Sequence, residues 1–475
     1  MVRLPVIDRA LAGALLGVAV QLVSGTFHGA RATLQRSALV AGPADPGLAV
    51  QGAAADTVVD RWLEALSRGT ASITSVGDEL RANTELRTRI GPFFGERLAQ
   101  WTGDDPDRLS AAARVSLSMD GARGARGFAD RFLVGHPGRS KTFLMDYLRA
   151  ADRAEKHREA AWAATQLSLI SPRAADRARW QSEAAERMLL AGDSAGARAG
   201  LRDLARDPAP GARARESARS RLVEVVAGDA ASVDEALEEI AAYAAAYPDS
   251  IGRTAGHRAQ LALTMARARG AAAALRWIEG FIGQDTSVVS DVALAGAAAQ
   301  LAFYSGDREK ALEYSVMALA VATDDPADRA RRVELLALVQ SSDSSGVAWA
   351  GTAAHALFAD PENAGPVVEF PTGVAGRPSP GVLSFLAARA DRASRQDLAS
   401  ELWSRIVDSH PESAEAPAAM LGLARTAAAR GDESARTAWL ERLVVEYPQS
   451  ALAPSARRML AAGGNSPARP GAGER

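Results

Sequence analysis

The chain has 475 residues, 55 basic and 57 acidic side chains for a net charge of −2, 47% apolar residues and no cysteine. That length holds two or three ordinary domains or one long repeat array, and the evenly mixed charge excludes the clustered basic excess of a nucleic-acid surface. The lack of cysteine excludes a disulfide framework, a thiolate zinc site, a cysteine nucleophile and an acylated-cysteine anchor.

Aromatics make up only 5% and alanine is abundant, which favours closely packed helices over a β-rich core. At the N-terminus, Arg3 and Arg9 flank the start of an apolar run, Ala10 to Val23, broken only by Gln21. The run is short for a membrane span and fits the core of a secretory signal. Ala30-Arg31-Ala32 supplies a small-x-small cleavage pattern, so residues 1–32 are expected to be an export signal. An uncleaved N-terminal anchor and a buried helix are the alternatives. Residues 33–55, rich in Gly, Pro and Ala, read as a flexible linker. From 56 to 119 the pattern is helical without clear repeats. Val58, Trp62, Leu63 and Leu66 mark one apolar face, and Phe93, Phe94, Leu98 and Trp101 another.

Beyond residue 120 the punctuation becomes regular. Prolines expected to end helices stand at Pro137, Pro172, Pro208, Pro248, Pro326, Pro361, Pro411 and Pro448, with gaps of 35, 36, 40, 78, 35, 50 and 37. The 78 reads as two units, with Gln284-Asp285 marking an end that lacks proline; the 50 is one unit plus an insertion. Twelve residues before the proline, where paired helices touch, stand Ala125, Ala160, Gly196, Ala236 and Ala399; Tyr314, Trp349 and Arg436 are the exceptions. Gly192-Asp193, Gly228-Asp229, Gly306-Asp307 and Gly431-Asp432 are expected turns, in which glycine supplies the left-handed C-cap. The last two units superpose at a shift of 37: Leu402 under Trp439, Trp403 under Leu440, Ile406 under Leu443. Self-similarity at such a period is the mark of a solenoid.

The run from Tyr304 to Tyr314 (Tyr-Ser-Gly-Asp-Arg-Glu-Lys-Ala-Leu-Glu-Tyr) resembles the centre of a tetratricopeptide repeat. So does Gly431 to Pro448, with the family's step from turn glycine to proline. The Tyr-Pro-x-Ser endings at Tyr247 and Tyr447 resemble a bacterial envelope branch, that of the outer-membrane-assembly lipoproteins and the Tol–Pal-associated division coordinators. Most units run 35 to 37 residues against the family's ~34, and Arg436 stands where alanine is usual. The resemblance implies a right-handed superhelix whose concave face, lined mainly by the first helix of each pair, takes an extended peptide or another protein's helix. It divides the chain into a degenerate tetratricopeptide-like array at 120–361, a Pro/Gly-rich insertion at 362–380 and a C-terminal repeat pair at 381–462. The insertion reads as a surface linker or, over Val367 to Phe370, as an extended segment lying in the groove or gripping a partner. Residues 463–475 read as a disordered tail.

Catalytic motifs are weak. Gly192-Asp193-Ser194-Ala195-Gly196 is a literal G-x-S-x-G, but a nucleophile elbow needs a strand before its serine, and Ala184 to Leu190 reads as helix. Gly121 to Gly127 is glycine-rich and basic without a P-loop or dinucleotide signature, and reads as a turn into a helix. Six scattered histidines form no H-x-x-x-H pair, and His136 and His410 precede repeat prolines. Glu238-Glu239 reads as a solvated helix face. Trp403 and Trp439 fall on the buried stripe of second helices, with Trp180 and Trp277 less defined.

The sequence therefore points to an all-α fold, an α-solenoid of about nine antiparallel helix pairs, acting as a non-enzymatic scaffold in the periplasm or cell envelope. No catalytic, cofactor-binding or metal-binding residue is expected. Ala418, Leu421, Arg425 and Ala429 share one face of a first helix by their three- and four-residue spacing and are the expected groove residues for a protein or peptide partner. No nucleic acid is expected; a membrane-associated partner and a homo-oligomer through stacked array edges stay open. The rival readings are a cytoplasmic or membrane-tethered tetratricopeptide regulator, a hydrolase using Ser194, and a peptidoglycan lyase, for which no compact catalytic domain follows the repeats.

Overall fold

A computed structural model describes residues 55–119, 123–283, 288–320, 325–368 and 378–463. The expected export signal, nearly all of the linker, the Gln284-Asp285 boundary, residues 121 and 122 of the glycine-rich run, residues 369–377 of the insertion and the tail from 464 lie outside them. The described residues hold 23 α-helices and no strand, and none of these helices is long and apolar enough to cross a membrane. They divide into two compact units, 55–226 and 227–463.

The first unit begins with α1 (Ala55–Arg68), α2 (Ile73–Ala82), α3 (Thr84–Thr102) and α4 (Pro106–Ser116). Short polar side chains set their starts: Ser72 and Ser75 form a capping box on α2, Asn83 caps α3, and Asp105 caps α4 with Pro106 at its first position. The expected faces meet: Val58 and Trp62 of α1 and Phe94 and Leu98 of α3 are all buried in one core. Then follow α5 (Arg123–Gly135), α6 (Ser140–Arg153), α7 (His157–Ile170), α8 (Ala174–Leu190), α9 (Ser194–Arg206) and α10 (Ala212–Ala227). Helix α4 packs on α5 across residue 120, α6 on α7, α7 on α8 and α8 on α9.

The second unit contains α11 (Val233–Ala246), α12 (Ile251–Arg269), α13 (Ala271–Glu279), α14 (Val288–Tyr304), α15 (Arg308–Leu319), α16 (Pro326–Ser341), α17 (Ser344–Ala359), the single turn α18 (Gly365–Val368), α19 (Pro380–Arg392), α20 (Gln396–Ser409), α21 (Ala416–Ala429), α22 (Glu433–Glu446) and α23 (Ala453–Gly463). Helices α12 and α13, α14 and α15, α19 and α20, and α21 and α22 pack as consecutive pairs.

Seven of the eight expected prolines follow a helix by two residues, at the ends of α5, α7, α9, α11, α17, α20 and α22. Proline cannot donate the next helical hydrogen bond and pushes its predecessor out of the α region, so the helix stops just before it. Pro326 departs from the pattern. It opens α16 at the first helical position behind the Asp325 cap, where its missing N–H costs nothing.

Between paired helices the same turn recurs five times. Glu155, Gly192, Gly306, Ser394 and Gly431 have φ between 55° and 77°, each two residues before the next helix. The amide of the following residue (Lys156, Asp193, Asp307, Arg395, Asp432) donates to the carbonyl five back at 2.8–2.9 Å. In the Gly-Asp versions the glycine takes the left-handed φ, and Asp193, Asp307 and Asp432 then cap the next helix through the amides of Gly196, Lys310 and Ala435. Of the small residues expected between helices, Ala125, Ala160, Ala236 and Ala399 are fully buried. In the Gly196 unit it is Ala197 that is buried, because Gly196 sits under the Asp193 carboxylate.

Within each of the two units, polar bonds one repeat apart tie successive helix pairs together. In the first unit Arg139 meets Asp107, Arg126 meets Glu159, Arg187 meets Asp152 and Arg221 meets Glu186, at separations of 32 to 35 residues. In the second, Arg269 meets Asp234, the Tyr314 hydroxyl donates to Glu279, Arg308 donates to the Ser342 carbonyl and Tyr447 to the Pro411 carbonyl, at 34 to 36. Each exposed ion pair contributes about 0.2–1 kcal/mol, so these bonds set register while the buried apolar faces supply most of the stability.

The rule breaks at α16 and α17. Their two-residue link, Ser342-Asp343, has φ −104° and −75° with both residues extended, and no left-handed residue turns the chain back. Helix α17 is not packed along α16 but lies on α14, reaching α12, where His355 Nε2 is 3.0 Å from the Ala266 carbonyl. The approach is close enough that a Cβ on Gly351 would overlap the Phe303 carbonyl oxygen. Helix α16 stays on α15, with Arg332 donating to the Ala318 carbonyl at 2.6 Å. Inside the insertion, α18 packs on α17 with Val368 buried, so Val367 and Val368 are helical rather than extended.

Candidate functional site

A cavity lies between α16 on one side and α19 and α21 on the other. Its volume is about 190 Å³. The floor is apolar: Trp403 of α20, Leu421 of α21 and Leu452, with Ala388 and Ala418 beside them. Trp403 is held there by shape. A Cβ on Gly422 would come within 2.6 Å of its ring, so only glycine lets the indole lie on the α21 backbone.

Three of the four expected groove residues, Ala418, Leu421 and Arg425, line this cavity. Ala429, one turn further along α21, is exposed and lies outside the lining. The charged wall was not foreseen: Arg331 and Glu334 come from α16, Asp391 and Arg392 from α19. These residues are far apart in sequence and meet only in the fold.

Glu334 is half-buried and has no hydrogen bond or ion pair among the described residues. Desolvation by the walls raises its pKa above the ordinary carboxyl value, opposed by the positive charges of Arg392 and Arg389. Arg392 shows the reciprocal effect: desolvation and then the neighbouring Arg389 hold its pKa below the usual guanidinium value. The two groups feel each other across the cavity without closing an ion pair. Behind them Arg389 is locked, donating to the Tyr304 hydroxyl at 3.1 Å and lying 4.4 Å from the Phe385 ring centroid.

A second cavity, about 630 Å³, lies in the first unit beside the Gly192-Asp193 turn. Two of its charged residues, Arg126 and Glu159, are spent on one another. Arg126 pairs with Glu159 at 3.0 Å and stacks on Trp162 at 4.9 Å, and Glu159 also accepts from the Tyr147 hydroxyl at 3.1 Å. Desolvation, together with the Glu159 charge, pushes the Tyr147 hydroxyl pKa up. Ser194 does not line this cavity. It is the first residue of α9, preceded by helix α8, so Gly192 to Gly196 is an inter-helix turn without the strand that an elbow requires.

His136 and His410 sit just past the ends of α5 and α20, as their place before proline implied. Among the described residues no three His, Cys, Asp or Glu side chains gather closely enough to hold a metal ion. Trp403 is buried, whereas Trp439, Trp180 and Trp277 are half-exposed. Trp439 and Trp180 carry Arg442 and Arg179 on their faces at 5.4 and 5.0 Å, and Trp277 meets Phe281 edge-on. Compared with family models and with curated proteins, the chain matches none.

Proposed function

We propose that within each unit the helix pairs stack as a tetratricopeptide-like α-solenoid, and that the chain is a non-enzymatic scaffold binding a protein or peptide partner in the bacterial cell envelope. The recurring left-handed turns and the polar bonds one repeat apart support the first part. The envelope location rests on the signal-like N-terminus and on the Tyr-Pro-x-Ser endings.

The observation that carries the binding role is the cavity between α16, α19 and α21. It joins an apolar floor to a charged rim, and three residues of one first-helix face line it. At about 190 Å³ it is smaller than the ~300–1,000 Å³ of small-molecule sites, and fits one anchoring side chain of a larger partner.

The test is photo-crosslinking in intact cells, with a photoreactive phenylalanine analogue in place of Arg331, exposed at the cavity rim, and, as control, in place of Val445, which is 76% exposed on α22. A discrete protein adduct in the envelope fraction from position 331 and not from 445 is expected. Adducts that are equal at both positions, or absent at 331, overturn the reading.

A further inference from the structure

The charged groups around the cavity are not equivalent. Arg331 is drawn to its own helix, 3.4 Å from Asp328 and 3.8 Å from Asp325. Asp391 accepts from the Gln396 amide at 2.9 Å. Arg392 donates only through Nε, to the Ala388 carbonyl at 3.1 Å, which leaves its two terminal nitrogens. Arg425 has no hydrogen bond or ion pair among the described residues. The least committed cations of the rim are thus two guanidinium groups, one on α19 and one on α21; with Arg331 the lining carries three cations against two carboxyls, Glu334 on α16 and Asp391, whose charge the neutral Gln396 amide leaves in place. Desolvation raises the Glu334 pKa, which weakens the negative side of that rim. Below the guanidiniums are Trp403, Leu421 and Leu452, a surface for one large apolar side chain, with Ser384 also in the lining.

Resting on the scaffold reading, we propose that the cavity takes a partner segment in which one large apolar side chain stands beside a side-chain carboxylate. The apolar group fills the space over Trp403 and Leu421, and the carboxylate bridges Arg392 and Arg425. Guanidinium recognises a carboxylate by paired, charge-assisted hydrogen bonds, and an apolar anchor with a charged neighbour is the usual composition of a binding hot spot. Recognition lies in side chains, so the partner needs no free chain end.

The test uses the full chain and three fluorescently labelled hexapeptides, blocked at both ends: Gly-Ser-Glu-Phe-Gly-Ser, its Lys-Phe counterpart and its Glu-Gly counterpart. Fluorescence polarisation is expected to give Glu-Phe at least tenfold tighter binding than either of the others. The double variant Arg392→Glu/Arg425→Glu is expected to invert the order of Glu-Phe and Lys-Phe. Ala418→Trp, which fills the cavity and leaves the charges in place, is expected to abolish binding of all three. Circular dichroism melts of each variant separate lost binding from lost fold. Equal binding of the three peptides, or a preference that the double variant leaves unchanged, overturns the proposal. If position 331 crosslinks a partner in cells while none of the peptides binds, the scaffold reading stands and this chemistry is wrong.

Discussion

Helices α8 and α9 and helices α16 and α17 differ in one turn, and the difference goes with where the second helix packs. Between α8 and α9, Gly192 takes φ 77°, Asp193 caps the next helix, and α9 folds back on α8. Between α16 and α17, Ser342 and Asp343 are both extended, Asp343 still caps α17 through the Gly346 amide, and α17 leaves for α14. Capping fixes where each of these second helices starts, and in this comparison the left-handed residue goes with the return along the predecessor, although α8 turns back on α7 through residues 171–173 without one. Between α16 and α17, where that residue is absent, the second helix packs on α14 instead.

The largest effect is expected where α17 meets α14. Gly351→Val places a branched side chain against the Phe303 carbonyl and should cost the second unit about 3 kcal/mol or more. A urea or thermal midpoint that does not move would mean that the two helices are not in contact.

Next come the turn glycines. Gly192→Ala faces open space, so it should cost only the left-handed strain, about 1 kcal/mol. Gly306→Ala carries the same strain at φ 77° and also meets the Ala348 Cα at 3.0 Å, so it should cost more. Equal losses would separate the α15 turn from α17.

Glu334 sharpens the comparison through pH. Its folded pKa is raised, so the native state gives up stability as pH climbs from the ordinary carboxyl value through the raised one. Glu334→Gln should therefore melt higher than the native chain at pH 7. The gap should close as the buffer is taken below the ordinary carboxyl range. A gap that is constant with pH would place Glu334 in solvent.

The smallest effect is a gain. Glu155 and Ser394 hold φ 55° and 61° without being glycine. Glu155→Gly and Ser394→Gly should each stabilise by about 0.5 kcal/mol, as relief of strain outweighs the added freedom of the unfolded chain. A loss in both would remove the left-handed turn as the organising device.

Much of this was legible in the sequence because it is local. A proline two residues past a helix, or a Gly-Asp that turns and then caps, acts within one turn of chain. The three- and four-residue spacing that placed Ala418, Leu421 and Arg425 on one face is equally local. Pro326 misled because proline both stops helices and opens them, and the Asp before it is the sign of the second use. Trp349, standing where a small residue was expected, and the missing Gly-Asp in its unit both marked the α16–α17 irregularity. Neither could say where α17 goes, since that depends on the bare backbone of Gly351 meeting Phe303. Glu334 and Arg392 were missed for the same reason: 58 residues separate them, and no period links them.

The register break can be tested directly by disulfide trapping, for which the cysteine-free chain is a clean background. A Cβ on Gly306 lies 3.2 Å from that of Ala348, near the reach of a disulfide, so Gly306→Cys/Ala348→Cys should crosslink on mild oxidation. Arg331→Cys/Ala354→Cys, equidistant from the Ser342-Asp343 link and adjacent only if α16 and α17 formed a hairpin, should stay reduced. The opposite outcome, a bond at 331–354 and none at 306–348, would make α16 and α17 an ordinary pair and contradict the account.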